Sequence, residues 1–312
     1  MVNLPKANWF TSFFTLNKIT RYIATLKASD GGYIKLAQPI ELQAGDEVEW
    51  IGQMDSSSTN RYLLDGYNSV DRLYLISQSD GSLNTDYGKV STVTIDGLDA
   101  GGITPTDGKV HNVKLTIIGT CYIQYIGSRY NAVEFLDQAF LGLIVRRNGN
   151  VIHNISTNVA KGTTIIPNLA QPLGSELWQQ ANLTFTGTES AFSLVGTAQQ
   201  NLIVSNAYVF KAEVTGLTSG SLLLQFGSKS YPINSNGITE GLASDVDATQ
   251  LRVITSSVAP NQGTEVKLSV KEAPHWAEYI NVTDDNKEQF TWDAERYAWV
   301  GGDTGKILEV AQ

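Results

Sequence analysis

Apolar residues along this chain recur mainly at every second position, in short runs rich in Val, Ile, Leu and aromatics, with clusters of Gly, Asn, Asp and Ser between the runs. Alternate side chains of a strand point to opposite faces, so this period of two predicts half-buried β-strands. Val110, Val113, Leu115 and Ile117, followed by Tyr122 to Ile126, read as two strands joined across Gly119 and Thr120. Leu141 to Arg147 and Val151 to Ile155 flank Asn148-Gly149-Asn150, which supplies the positive-φ residues of a tight hairpin. Further on, Leu222, Leu224 and Phe226 alternate before Gly227, and Tyr231 and Ile233 precede the turn Asn234-Ser235-Asn236-Gly237. Val266, Leu268 and Val270 close the series. Many short strands at regular spacing predict an all-β chain of sandwiches or barrels.

Breaks in this texture mark the expected domains. Between Ser156 and Asn182 the alternation lapses around Pro167, Pro172 and Gly174, as in a linker. After Ala273-Pro274 the chain turns acidic and aromatic. There Phe290-Thr291-Trp292 and Tyr297-Ala298-Trp299 are placed to pair as a small hairpin around Asp293 to Arg296. The first sixteen residues carry Trp9, Phe10, Phe13, Phe14 and Leu16, an apolar density that calls for a covering surface. The expected organisation is an N-terminal arm (1–16), a first sandwich (17–156), a linker (157–182), a second sandwich (183–272) and an acidic aromatic tail (273–312).

Composition narrows the function classes. With 22 Lys and Arg against 31 Asp and Glu, the formal charge is −9, and no basic stripe stands out, so nucleic acid is not an expected partner. Cys121 is the single cysteine, which rules out an intrachain disulfide, and its apolar setting fits core filling better than nucleophilic chemistry. MVNLPKANWFTSFF lacks the continuous apolar stretch of a secretory leader, and no run reaches membrane-spanning length.

Two stretches carry a family resemblance. Gly32-Tyr33-Ile34-Lys35-Leu36, Pro39-Ile40-Glu41-Leu42, Gly45-Asp46-Glu47-Val48-Glu49-Trp50 and Asp107 to Thr116, with Phe140 to Ile144 and Val151-Ile152, resemble the concanavalin A-like, laminin-G-like jelly roll over about residues 17–156. Phe192 to Gly196, Tyr208 to Val214, Gly216 to Leu222, Asn236-Gly237 and Glu265 to Lys271 resemble carbohydrate-binding-module sandwiches. Such sandwiches recur in bacteriophage tail proteins and polysaccharide-degrading enzymes. The resemblance implies two antiparallel β-sandwich (jelly-roll) domains, with ligand loops at one edge of the first.

The sequence carries none of the common catalytic patterns. Jelly-roll glucanases present carboxylates on one strand face at E-x-D-x-x-E spacing. Glu47-Val48-Glu49 lacks the third carboxylate, and Glu134-Phe135-Leu136-Asp137 has the wrong period, so both read as surface charges. His111, His153 and His275 stand near no nucleophile-elbow sequence, and no zinc pattern exists. Calcium is the one ion the oxygen-rich turns Asp80 to Asp86, Asp245-Val246-Asp247 and Asp284-Asp285-Asn286 invite. It is not favoured, because turn-forming Asp and Asn serve backbone conformation first.

A sugar platform needs an exposed ring with polar groups beside it, and Trp178, Tyr231, Tyr67 and Tyr74 are the candidates. Trp9, Phe10, Phe13, Phe14, Trp276, Trp292 and Trp299 are the candidate assembly contacts. The expected function is a non-enzymatic bacteriophage virion component of the tail, baseplate, fibre or head surface. It would be assembled in the host cytoplasm and not secreted. Its partners would be other virion proteins, copies of itself, with a trimer implied by the resemblance, and a host surface glycan. The competing readings are a polysaccharide-active enzyme with an appended binding module, and a cell-surface adhesin.

Overall fold

A computed structural model of the chain describes residues 20–54, 59–67, 69–86, 88–100, 107–180, 182–273 and 275–311. Strand accounts for 51% of the described residues and helix for 2%, so the chain is all-β, with several antiparallel sheets as the alternation requires. Among the described residues no helix is long and apolar enough to cross a membrane.

The chain divides into two compact units, and the second is inserted in the first. Residues up to Ala170 and from Ala277 onward form one unit, and Gln171 to Trp276 form the other. The first unit has a seven-stranded sheet in the order Ile165–Ile166, Ala277–Ile280, Tyr33–Leu42, Cys121–Ile126, Arg61–Asp65, Leu75–Ser77 and Leu83–Thr85. Its ten-stranded sheet runs Ile307–Glu309, Ala298–Gly301, Lys287–Asp293, Thr20–Thr25, Ala139–Arg147, Glu47–Gln53, Val110–Ile117, Val90–Ile95 and Leu98–Asp99, with Asn150–Ser156 also paired to Ala139–Arg147. The two strands expected on either side of Gly119 and Thr120 exist but enter opposite sheets. Asn148 (φ 51°) and Gly149 (φ 78°) make the expected hairpin turn, where left-handed backbone favours these residue types.

The main core draws on both sheets, with Trp50, Phe140, Leu143, Ile34, Leu36 and Ile123 buried together. Strand alternation also makes the ten-stranded sheet apolar on its other face. Ile51, Ile144 and Ile23, each next in sequence to a main-core residue, join a second cluster with Phe290, Trp299, Leu308 and Val310. This corrects the expected separate tail. Residues 277–312 supply strands to both sheets of the first unit, pairing Ala277–Ile280 with Tyr33–Leu42 and Lys287–Asp293 with Thr20–Thr25. The predicted hairpin forms within that segment, with Trp292 opposite Trp299. Arg21 ties it down. Its guanidinium lies 5.7 Å from the Trp299 ring and donates to Leu141 O (2.9 Å) and Ser156 Oγ (3.0 Å), and burial lowers its pKa to about 10. The expected linker also begins too early, because Ile165–Ile166 pairs with Ala277–Ile280 and the unit boundary falls after Ala170.

The second unit pairs two four-stranded sheets. One is ordered Leu183–Thr184, Glu265–Glu272, Tyr208–Thr215 and Gly237–Ala243; the other Leu194–Gln199, Leu251–Thr255, Leu222–Phe226 and Lys229–Ile233. Tyr208, Phe210, Phe226 and Tyr231 mesh in its core, with ring centroids 5.1–6.0 Å apart.

Candidate functional site

The seven-stranded sheet carries tyrosines and arginines on the face turned away from the main core. Directly opposed residues of paired strands share a face. Tyr122 stands opposite Glu41 and Tyr125 opposite Lys35, while Cys121, Ile123 and Ile126 enter the core. A register shift between Ile123 and Tyr125 lets two tyrosines three residues apart emerge on one side, which strict alternation forbids. Tyr125 also opposes Asp65, so that carboxylate belongs to the outer face. Tyr33, Phe135 and Tyr125 form a ring cluster with centroids 5.9 Å apart.

Two loops complete the face. The first leaves Asp65 through Gly66 and returns along Tyr122, where Arg72 makes a parallel bridge. A Cβ on Gly66 would lie 2.3 Å from Arg72 Cβ and 2.9 Å from Tyr122 O, so only glycine lets the loop close this tightly. The second loop, 127–135, carries Arg129 and Tyr130. Ala132 (φ 54°) and Glu134 (φ 57°) are left-handed without being glycine, and such strain is held by surrounding bonds. Those bonds include Arg129 N–H to Val133 O (2.9 Å), Leu136 N–H to Gly127 O (2.7 Å) and Arg61 Nη1 to Phe135 O (2.9 Å).

Asp65 joins the loops. Its side chain is 0% exposed and accepts from Arg72 Nη1 (3.1 Å), Tyr130 N–H (2.9 Å) and Gly66 N–H (2.8 Å). Burial pushes its pKa up to about 6, against the opposing pull of these donors and of the Arg72 and Arg129 charges. The Arg72 guanidinium lies 5.1 Å from the Tyr74 ring, 5.2 Å from Tyr130 and 5.9 Å from Tyr62. Arg129 lies 5.6 Å from Tyr130 and 5.9 Å from Tyr62. Burial, its largest cause, raises the Tyr62 phenol above its ordinary pKa. At the rim, Tyr67 is 41% exposed and meets the half-buried Tyr122 edge-on, with centroids 5.2 Å apart.

Of the four predicted sugar platforms, the structure brings Tyr67 and Tyr74 to this face and excludes Trp178. Trp178 is 5% exposed within the core of the second unit, so it offers no ring face. Tyr231 packs against Phe210 and Phe226 of the same core and is only half-buried. Among the predicted assembly contacts, Trp299 is 0% exposed inside its own unit and cannot meet a neighbouring chain in this fold. Trp292 is half-buried against Tyr297 and Trp299. Trp276 is also half-buried, and its indole donates to Gln171 O (3.3 Å). Trp9, Phe10, Phe13 and Phe14 lie outside the described residues. Asp65, Arg72, Tyr122, Arg129 and Tyr130 were missed; the short path Asp65-Gly66-Tyr67 to Arg72-Leu73-Tyr74 was the available signal for part of them.

Several titratable groups outside this face are engaged locally. Glu47 pairs with Lys114 (2.6 Å), and Glu49, whose side chain is only 13% exposed, pairs with Arg146. His111 sits between Asp96 (Nδ1, 2.6 Å) and Asp107 (Nε2, 2.9 Å). Burial disfavours its charged form, but the hydrogen bonds and charges of the two carboxylates outweigh it and raise the pKa. His153 Nδ1 meets Asn168 Nδ2 at 3.0 Å. Cys121 is buried, and burial pushes its thiol pKa up to about 12. In the oxygen-rich turns, Asp80 accepts from Ser82 N–H (2.9 Å), Asp247 from Ser228 N–H (2.8 Å) and Asp284 from Gly162 N–H (2.8 Å). Among the described residues no group of three or more His, Cys, Asp or Glu side chains is placed to hold a metal ion.

Comparison with protein-family models, with curated proteins and with solved structures finds no match to this chain.

Proposed function

We propose that the chain is a non-enzymatic adhesive building block of a bacteriophage particle, whose first unit holds a surface glycan against the tyrosine–arginine face. The observation that carries this reading is the rim pair Tyr67 and Tyr122 beside Arg72, Arg129 and Asp65. Exposed rings stack on the apolar face of a pyranose, and neighbouring guanidinium and carboxylate groups bond its hydroxyls. Bonds within the face hold both loops in place, so a ligand meets a preorganised surface. In this reading the first unit is a jelly roll of the concanavalin A and laminin-G kind, and the second is a sandwich of the carbohydrate-binding-module kind. The particle setting rests on the resemblance of both halves to modules found in phage proteins, and with it comes assembly into a symmetric oligomer, a trimer first.

A glycan array probed with the full chain and with a Tyr67→Ala/Tyr122→Ala variant tests the binding reading. A restricted set of glycans bound by the parent and weakened about tenfold or more in the variant, roughly 1.4 kcal/mol, is the expected result. Equal binding by both proteins would move the site elsewhere. Light scattering on the same sample tests assembly, with a mass of three chains expected and a monomer contrary to it.

A further inference from the structure

The guanidinium groups of this face are under-used by the protein itself. Among the described residues the Arg129 side chain donates no hydrogen bond; its nearest carboxylate oxygen, Glu134 Oε2, lies 3.6 Å away, and its Nε is buried without an acceptor. Its side chain is nevertheless 34% exposed, so the outer edge of the fork is open to solvent. Arg72 is 17% exposed and spends a single N–H on Asp65. Tyr130 and Tyr62 each lie near both guanidiniums, and Tyr74 lies near that of Arg72. Two rings beside Arg129 and three beside Arg72 restrict the forks before any ligand arrives. A planar fork with free donors matches a planar oxyanion in a bidentate contact, which hydroxyl groups do not reproduce.

Resting on the glycan reading of the same face, we propose that its ligand is an acidic sugar, whose oxyanion docks on Arg129 with Arg72 beside it while the ring lies on Tyr67 and Tyr122. The two carboxylates beside the guanidiniums leave the outer fork of Arg129 open, while Glu41 and Asp71 act on Tyr122 at the other end of the face. Asp65 is buried and already neutralised against Arg72, and Glu134 stands beyond hydrogen-bond distance of Arg129, a counter-ion that a better-placed oxyanion displaces. The chain as a whole carries −9, so attraction for an anion must be local to this face and must weaken as salt is added.

The test uses the full chain and an array that presents carboxylated glycans, sulfated glycans, and the same carboxylated glycans after reduction of the carboxyl to an alcohol. The expected result is retention of an acidic class, with the reduced counterparts about ten- to a hundredfold weaker, the range of a charge-assisted contact. The carboxylated and sulfated arms identify the oxyanion. Arg129→Gln is expected to abolish the preference for acid and leave weak binding to the reduced sugar. Arg129→Lys, which keeps the charge but loses the fork, is expected to fall between; it decides the matter if the Gln variant melts early. Equal retention of acidic and reduced glycans, with no effect of Arg129→Gln or Arg129→Lys, overturns the acidic ligand and leaves the glycan reading standing. Retention of no glycan in any arm overturns both.

Discussion

Replacing Asp65 by Asn separates two effects that buried carboxylates combine. Burial lifts the Asp65 pKa from 3.8 to about 6 although Arg72 stands 3.1 Å away, so desolvation exceeds the attraction. A folded pKa above the unfolded one means that the native state binds the proton more tightly. The associated stability is present in full below pH 3.8 and is lost as pH rises through about 6. The gap of about two pKa units corresponds to at most about 3 kcal/mol. Asn is neutral like the protonated acid but has a single acceptor oxygen, so it keeps either the Gly66 amide, which bonds Oδ1, or the Tyr130 amide and Arg72 Nη1, which bond Oδ2. Asp65→Asn is therefore expected to lose the parent's pH dependence at this site, its stability relative to the parent rising by up to about 3 kcal/mol between pH 4 and pH 8 whatever constant cost the lost acceptor adds. The two units can unfold separately, so the assay is native-state hydrogen exchange of the strands Arg61–Asp65 and Cys121–Ile126 at both pH values. A stability relative to the parent that falls as pH rises from 4 to 8 would refute the reasoning and put the carboxyl below its ordinary pKa.

Other perturbations probe the rest of the fold. Gly66→Ala forces a Cβ to within 2.3 Å of Arg72 Cβ, and is expected to cost about 1–3 kcal/mol in denaturant unfolding while detaching Arg72 from Asp65. Trp299→Ala empties the centre of the second cluster of the first unit, and a loss of about 3–5 kcal/mol in that unit's unfolding step is expected; a negligible change would mean that residues 277–312 are dispensable to it. His111, raised by Asp96 and Asp107 against burial, contributes stability that is complete below pH 6.5 and is lost as pH rises through its higher folded value. Its imidazole resonances should titrate above 6.5 in the parent and lower in Asp107→Asn.

Local features of the fold were legible because their causes are local. Asn148-Gly149 specifies its hairpin by backbone preference, and Phe290 to Trp299 declares its own cross-strand aromatic pair. The union of Lys287–Asp293 with Thr20–Thr25 was not legible, because register between segments so far apart depends on matching faces that either strand alone leaves undefined. The same reason explains Trp299, which resembles a surface anchor until Arg21 and Ile23 are placed beneath it. Tyr67 and Tyr74 could be suspected from the sequence, but Tyr122 joins their face only through a register shift, and Arg129 is carried to Tyr62 and Tyr130 on a strained loop. Trp178 misled because aromatic character alone does not distinguish a platform from core.

The most direct test of a glycan site on the first unit is hydrogen exchange of the full chain with and without a glycan selected on the array. Protection confined to the backbone of 61–74 and 122–135 is the expected result. Protection in the second unit, with those segments unchanged, would contradict it.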